Sequence, residues 1–272
     1  MKQTILLLAL LLATISSSAK GVLRVLAIGN SFSEDAVEHY LWELAAAQGD
    51  TLIIGNAYIG GCEIDRHWSN AQTGKAEYRY RKIVNGHTQT QNNMPLKAII
   101  QDERWDIVSL QQASHHSGLP YTYANLGNLK DFVIANCPNK NTEIVFHQTW
   151  AYAQNATHRA FKFYKKNQQQ MYQNIILTLR DILPKCNIRR VIPSGTAIQI
   201  ARKTLGDVLN RDGYHLNLSY GRYTAACTWC EFLTRKRVVG NPFRPESVDK
   251  KTALTAQKAA HKAIKSWQKH PL

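Results

Sequence analysis

The sequence predicts an α/β protein of the three-layer α/β/α type, built on a five-stranded parallel sheet. Short apolar segments alternate along the chain with amphipathic segments of helical period, which is typical of strands joined by crossover helices. The chain has 272 residues, 44% of them hydrophobic, which is enough for one sizeable core. No linker or internal repeat interrupts the pattern, so we expect residues 20–272 to form one domain that ends in a basic helix.

The predicted strands are short and mostly aliphatic. In chain order they cover residues 23–28, 51–57, 105–110, 142–147 and 190–193. Amphipathic periodicity predicts helices from about residue 34 to 45, and over 126–135, 161–183, 196–209, 220–233 and 247–267. Ser33 is the predicted N-cap of the first helix. The last helix carries an alanine stripe ending at Trp267, which is typical of a surface helix packed on its own domain.

The first 19 residues have the features of a signal peptide. Lys2 gives a positive start, residues 5–15 form a short apolar run, and Ser17-Ser18-Ala19 is a small-residue cleavage signal. The run is too short for a permanent membrane-spanning helix. We therefore expect an exported protein, periplasmic or secreted, that is cleaved near Ala19 and has no stable membrane insertion.

The chain is strongly basic, with a formal charge of +15 and a pI near 9.7. From residue 235 to the end, ten Lys and Arg stand against two acidic residues, a local excess of +8. Such a balance suits nucleic acid, an anionic membrane or an acidic polysaccharide. Export argues against nucleic acid. A solvated basic surface without a dedicated partner is the simplest interpretation.

The chain has five cysteines, so at least one thiol stays unpaired in an oxidising compartment. Cys137 and Cys186 each precede a predicted strand, and they are the pair that we expect if a disulfide forms. Cys227 and Cys230 form a CxxC inside a predicted helix, and no second CxxC completes a zinc site. We interpret Cys227 and Cys230 as buried helix cysteines without a functional role.

The segment Gly29-Asn30-Ser31-Phe32-Ser33 stands between the first predicted strand and the first helix. A serine at the carboxyl end of such a strand lies where ligands of open α/β folds bind. The helix N-terminus beside it offers free N–H groups that stabilise negative charge. Ser31 is therefore a candidate nucleophile, although a serine in this position is also common as a simple helix cap.

The segment Asp212-Gly213-Tyr214-His215 lies in the loop before the helix 220–233. In a tight turn, this spacing lets the Asp212 carboxylate hold His215 Nδ1–H and leaves Nε2 free to accept a serine proton. Asp-Gly is also an ordinary turn signal. The position of the loop after the last βα unit favours the functional interpretation, because it brings the pair to the same sheet edge as Ser31.

Two further segments are candidates for an oxyanion hole. Gly60 and Gly61 follow the second strand, where glycine lets a backbone N–H approach a substrate oxygen. Gln111 and Gln112 follow the third strand, and an amide there is a further candidate donor. Taken alone, each is better explained as a loop glycine or a surface amide. The sequence does not choose between the two glycines or between the two amides.

Together these blocks resemble the SGNH (GDSL-like) hydrolase superfamily, and the resemblance runs from about residue 22 to 233. GNSFS, LQQ and DGYHLN look like an exported bacterial subgroup first catalogued without an assigned function. The resemblance implies a flavodoxin-like SGNH fold with Ser31 as nucleophile, His215 as general base and acid, and Asp212 as its orienting partner. It also implies oxyanion donors from Ser31 N–H, from Gly61 or Gly60, and from Gln111 or Gln112. Asn30 stands where the superfamily usually has Asp, and the usual Gly-x-Asn of the third block is missing.

Other polar and aromatic residues follow the third and fourth strands. His115, His116, His147 and Trp150 are candidates to line the cleft and bind substrate, and Trp150 or Tyr152 can stack on a sugar ring or pack in the core. Paired histidines also suit a metal, but no HExxH or carboxylate-rich segment accompanies them. We therefore expect neither a metal nor another cofactor.

The sequence thus predicts a serine ester hydrolase that acts through an acyl-enzyme. The expected substrate is an acetyl or other small acyl group on a carbohydrate, and an acidic polysaccharide fits the basic surface. Two alternatives remain open. One is a lipase, thioesterase or phospholipase acting on longer acyl chains, and the other is a catalytically silent carbohydrate-binding protein. The sequence leaves the oligomeric state undetermined.

Overall fold

The computed structural model describes residues 21–272, so the predicted signal peptide lies outside the described residues. Within this range the chain forms one mixed sheet. Its strands are Leu23–Gly29 (β1), Leu52–Tyr58 (β2), Tyr78–Val84 (β3), His87–Met94 (β4), Ile107–Leu110 (β5), Glu143–His147 (β6) and Val191–Ile192 (β7).

The sheet has seven strands in the order β4-β3-β2-β1-β5-β6-β7. The pairs β1–β2, β1–β5, β5–β6 and β6–β7 are parallel, so five strands form the predicted parallel core. β3 and β4 add an antiparallel hairpin at one edge, beside β2. The predicted number of five strands is therefore wrong, because it omits the two strands of this hairpin.

The hairpin was not predicted from the sequence because β4 has no apolar face. Its sequence is HTQTQNNM, and all but its last residue are exposed, as an edge strand facing solvent allows. Its turn is nevertheless encoded. Asn85 and Gly86 both have positive φ, 50° and 77°, and join Val84 to His87. Asn-Gly is a strong signal for such a two-residue hairpin turn.

The described helices form two groups that flank the sheet. Their bounds are Ser31–Val37 (α1), Leu41–Ala46 (α2), Ile64–Thr73 (α3), Leu96–Gln101 (α4), Leu126–Asn136 (α5), Gln168–Lys185 (α6), Ser194–Leu205 (α7), Tyr220–Thr234 (α8) and Lys250–Lys269 (α9). One group contains α1, α2, α7, α8 and α9, the other contains α3, α4 and α5, and α6 contacts α7 of the first group. The α/β fold class is therefore confirmed.

Two predicted helices are interrupted. The first, expected as one helix capped by Ser33, is divided into α1 and α2 at Tyr40, whose φ of 68° cannot continue a helix. The N-cap of α1 is Asn30, because the Asn30 Oδ1 accepts the Phe32 N–H. Ser33, the predicted N-cap, lies inside α1. The helix expected over 161–183 is a 3₁₀ turn followed by α6, with Lys165 and Lys166 between them at positive φ.

The expected pairing of Cys137 with Cys186 is wrong, since the described cysteines are all free. Cys137 follows the last residue of α5, whereas Cys186 lies near Gly127 in the first turn of that helix. Ten residues of helix span about 15 Å, and a disulfide needs Cα atoms within about 7 Å. Cys227 and Cys230 are buried within α8 as predicted, and burial raises the pKa of Cys230 to about 12.

The C-terminal helix packs on the rest of the chain. Ala253, Ala256, Ala260, Ala263 and Trp267 are buried against α7 and α8, which confirms the predicted apolar stripe. The lysines of α9 remain on its outer face. In the part of the chain that the structure describes, we find no helix with the length and apolar character that a membrane crossing requires.

Candidate active site

Ser31 lies at the carboxyl edge of the sheet. β1 ends at Gly29, Asn30 caps α1, and Ser31 is the first residue of that helix. β1 lies between β2 and β5, and Gly29 pairs with Tyr58 at the end of β2. The loops that follow β2 and β5 therefore lie on either side of Ser31, at the edge where α/β folds bind ligands.

The loop that carries Asp212 and His215 reaches this edge from the other end of the chain. It connects α7 to α8, and a β-bridge between Asn210 and Leu216 closes its base. The Arg211 N–H donates to the His215 carbonyl at 2.9 Å, which tightens the tip further. The tight tip brings the Asp212 and His215 side chains together.

The three predicted side chains form one continuous chain of hydrogen bonds. His215 Nε2 lies 2.8 Å from Ser31 Oγ, and His215 Nδ1 lies 2.6 Å from Asp212 Oδ2. With its Nδ1–H bonded to a carboxylate, the ring presents Nε2 as an acceptor for the serine proton. This geometry can increase the nucleophilicity of a hydroxyl that is otherwise unreactive.

Asp212 is held as a carboxylate. Burial acts to raise its pKa, but hydrogen bonds from the His215 ring and from the backbone N–H groups of His215 and Tyr214 outweigh it. The pKa of Asp212 therefore lies below its ordinary value. An ionised Asp212 stabilises the imidazolium that forms when His215 takes a proton.

Asp35 connects the serine helix to the histidine loop, and sequence analysis missed it. It lies four residues after Ser31 and its side chain is only 1% exposed. Its carboxylate accepts the backbone N–H of Leu216 at 2.8 Å, directly after His215. It also pairs with Arg222 of α8 at 2.8 Å and with Arg211 at 3.1 Å. One buried charge thus fixes the distance between α1 and the loop.

Asn30 connects Ser31 to the glycine loop. Its Oδ1 accepts the Phe32 N–H at 3.0 Å, and its Nδ2 donates to the Cys62 carbonyl at 3.0 Å. Gly60 and Gly61 line the cleft beside Ser31, and Gly61 has a φ of 62°, which favours glycine. Within residues 21–272 the N–H groups of these two glycines have no hydrogen-bond partner. They are therefore available to an oxygen in the cleft.

Neither Gln111 nor Gln112 is available as an oxyanion donor, contrary to the sequence-based expectation. Gln111 Nε2 donates to Asn30 Oδ1 at 2.8 Å, and its buried amide packs so closely on Gly29 that a Cβ there would lie 2.7 Å from it. Gln112 Nε2 donates to the Thr122 carbonyl at 2.7 Å. Both amides hold loops in place instead of facing the cleft.

Two residues expected to bind substrate lie in the core instead. His147 is fully buried between Gln111 Oε1 at 2.9 Å and Ser194 Oγ at 3.0 Å, and burial lowers its pKa to about 3. Trp150 is fully buried and stacks on Phe32, with ring centroids 4.2 Å apart.

Tyr152 is also fully buried, and its hydroxyl lies 3.0 Å from Ser114 Oγ. These rings support the site from behind, because Phe32 follows the serine directly. Of the adjacent histidines, His115 lines the cleft and His116 lies behind it.

The cleft above Ser31 has a volume of about 310 Å³. Tyr58, Ser114, His158 and Tyr214 line it in addition to the predicted residues, and sequence analysis named none of the four for this role. Burial, and then the electrostatic effect of the neighbouring His115 and Arg159, lower the pKa of His158. A larger cavity of about 610 Å³ between α8 and α9 contains none of these residues, so size alone does not identify the functional site.

Comparisons with known proteins show the family to which the chain belongs. A family profile described as "Domain of unknown function (DUF4886)" matches residues 24–263. A crystal structure of a DUF4886 family protein from Bacteroides uniformis is 48% identical, with a TM-score of 0.88 over 90% of this chain and 95% of that one. A comparison with curated proteins gives no match.

More distant structures share the fold. A candidate SGNH hydrolase from Slackia heliotrinireducens is 18% identical, with a TM-score of 0.52 over 78% of this chain and 98% of that one. A variant of Axe2, an acetyl-xylooligosaccharide esterase from Geobacillus, is 13% identical, with a TM-score of 0.50 over 80% and 94% of the two chains. The fold is thus that of the SGNH hydrolases, as the sequence motifs implied, and the chain belongs to the DUF4886 family.

Proposed function

We propose that this protein is a serine ester hydrolase that acts through an acyl-enzyme. The observation that supports this proposal most is the hydrogen-bond chain Ser31–His215–Asp212 at the wall of an open cleft. In the proposed reaction Ser31 Oγ attacks the ester carbonyl carbon while His215 Nε2 takes the serine proton. His215 then gives that proton to the leaving alcohol, and the acyl group stays on Ser31.

Water completes the cycle by the same route. His215 takes a proton from the water as it attacks the acyl carbon, and returns it to Ser31 Oγ as the carboxylic acid leaves. In both halves the carbonyl oxygen becomes negative and needs hydrogen-bond donors. The N–H of Ser31 at the start of α1 and those of Gly60 and Gly61 are the donors that we propose, without a glutamine.

The shape of the cleft favours a small acyl group. Its volume of about 310 Å³ is at the lower end of the range for ligand pockets. Apart from glycines, its apolar lining is limited to Phe32 and Ala113, whereas the other lining side chains carry polar atoms. A long acyl chain needs an extended apolar surface, so these features argue against the lipase and thioesterase alternative.

The surroundings of the cleft favour a carbohydrate, and an acidic one. Tyr58 and Tyr214 line the cleft, and tyrosine combines a flat apolar face with a polar group. Arg79 lies over the Tyr58 ring at 5.8 Å, and Arg159 is exposed beside His158. Both arginines are exposed, so both can bind carboxylates of a substrate. Removal of acetyl groups from an acidic polysaccharide outside the cytoplasm is the specific reaction that we propose.

Acetate release from two acetylated glycans tests this proposal. We expect faster release from an acetylated oligogalacturonide than from an acetylated xylo-oligosaccharide, and no release by the Ser31→Ala variant. In parallel, p-nitrophenyl acetate should be hydrolysed at least about tenfold faster than p-nitrophenyl palmitate. Faster hydrolysis of the palmitate would support the lipase alternative. Absence of hydrolysis with every ester would support a silent carbohydrate-binding protein.

A further inference from the structure

Glu63, His115 and His116 form a cluster behind one wall of the cleft. Glu63 directly precedes α3, and the two histidines lie in the turn after β5. His115 Nε2 is 2.9 Å from Glu63 Oε1, and His116 Nδ1 is 3.4 Å from the same oxygen. One ligand atom from each residue lies within 4.8 Å of the other two.

Two of the three separations between ligand atoms are close to those around a single metal ion, and the third is within 4.8 Å. Ligand atoms about 2.0–2.1 Å from a tetrahedral zinc ion lie about 3.3 Å from one another. The His116–Glu63 separation has this value already, and the His115–Glu63 separation needs to grow by only about 0.4 Å. The side chains are 23–37% exposed, so an ion can enter from solvent.

His116 also has a buried ring nitrogen that makes no hydrogen bond with any described residue. This atom is Nδ1, and a buried ring nitrogen normally has a partner. A metal ion would provide the missing partner.

We propose that Glu63, His115 and His116 bind one divalent transition-metal ion, with Zn²⁺ as the best match. Two imidazole nitrogens and one carboxylate oxygen are ligands that zinc accepts, and three protein ligands leave a fourth position open. His115 belongs both to this cluster and to the cleft wall. A bound ion therefore adds positive charge beside the cleft, but outside the Ser31–His215–Asp212 chain.

The sequence did not predict this site because no HExxH or carboxylate-rich segment accompanies the histidine pair. The carboxylate comes instead from Glu63, 52 positions before His115. Glu63 lies in the loop after β2, and the histidines lie in the loop after β5. These two strands flank β1, so the two loops meet at the same edge of the sheet.

Calorimetric titration of metal-free, tag-free protein with Zn²⁺ at pH 7 tests the site. We expect one ion per chain, and affinities at least about 100-fold weaker for Glu63→Gln and His116→Ala, because each loses a direct ligand. His87→Ala, at an exposed histidine on β4, is the matched control and should bind like the wild type. The Ser31→Ala variant should also bind normally, so the result does not depend on hydrolysis.

Two results would overturn this proposal: saturation that is not one ion per chain, or the same loss of affinity in His87→Ala as in His116→Ala. Should the site variants fail to fold, anomalous diffraction from wild-type crystals soaked in Zn²⁺ gives an independent answer. We expect a peak between Glu63 and the two histidines. A peak elsewhere, or no peak at zinc concentrations that saturate the protein in solution, would contradict the proposal.

Discussion

Ser31 and His215 are 184 positions apart in the sequence and 2.8 Å apart in the structure. Because the two side chains act as one unit in the proposed mechanism, removing either should remove the function of both. We expect Ser31→Ala and His215→Ala each to lower kcat for p-nitrophenyl acetate by about 10³-fold or more, and the double variant to lose little beyond either single one. Multiplicative losses would mean that the two residues act independently.

Asn30 offers a second test at the residue scale. Its Nδ2 donates to the Cys62 carbonyl, which an aspartate cannot do, so Asn30→Asp places a carboxylate oxygen against that carbonyl. The loop with Gly60 and Gly61 should shift, and kcat should fall by about 10- to 100-fold. Steady-state kinetics measures this, with the exposed Asn128→Asp as control. An unchanged kcat would show that Asn30 does not position the loop.

The sequence predicted those site residues whose positions follow from local motifs. Ser31 follows a strand directly, and Asp212 and His215 lie three positions apart in one turn. The roles of Gln111, His147 and Trp150 were not predictable in this way. Each ends or follows a strand at the site's edge of the sheet, but packing between layers decides whether such a side chain points to the cleft or to the core. Here all three point to the core.

At the scale of elements, the position of α1 relative to the histidine loop depends on Asp35. In Asp35→Asn the amide can still accept the Leu216 N–H, but the buried Arg222 loses its counter-charge. We expect the free energy of unfolding to fall by about 3 kcal/mol, measured by urea titration. Glu34→Gln on the same helix, whose ion pair with Arg81 is 3.4 Å long, should cost below about 1 kcal/mol.

The same Asp35→Asn variant should also have a lower kcat, because the His215 loop is no longer fixed to the serine helix. Equal stabilities for the two variants would contradict the proposed role of Asp35. A large loss of stability with normal kcat would assign Asp35 to folding alone.

Elements with a clear apolar pattern were predictable, and elements that depend on tertiary context were not. All five parallel strands were found from their apolar runs. β4 was missed because its sequence is polar on both faces, as an edge strand permits. The break between α1 and α2 was missed because the stripe of Val37, Leu41 and Leu44 continues across it. All three residues are buried, although α1 ends at Val37 and α2 begins only after Tyr40.

At the scale of the whole molecule, buried histidines make stability depend on pH. Burial lowers the pKa of His67 and of His147 to about 3 and that of His39 to about 4. Below about pH 6.5 the unfolded chain therefore binds protons that the folded chain does not, so acid destabilises the fold. Glu38 acts in the opposite direction, because burial raises its pKa to about 7 and the folded state takes up its proton first.

Three histidines outweigh one glutamate. We expect the free energy of unfolding to fall by on the order of 3 kcal/mol between pH 6.5 and pH 5. Urea unfolding at several pH values measures this fall, and NMR should show that the rings of His67 and His147 stay neutral in the folded protein. A free energy of unfolding that is constant or rises as the pH falls over this interval would contradict the low pKa values of the buried histidines.

The central claim is that His215 turns Ser31 into a nucleophile. Reaction with a fluorophosphonate probe, followed by peptide mass spectrometry, tests it most directly, because it needs no knowledge of the natural ester. We predict one adduct per chain, on the peptide containing Ser31, with none in Ser31→Ala and much slower labelling in His215→Ala. Folded protein that gains no adduct at Ser31, or that labels equally fast without His215, would contradict the account.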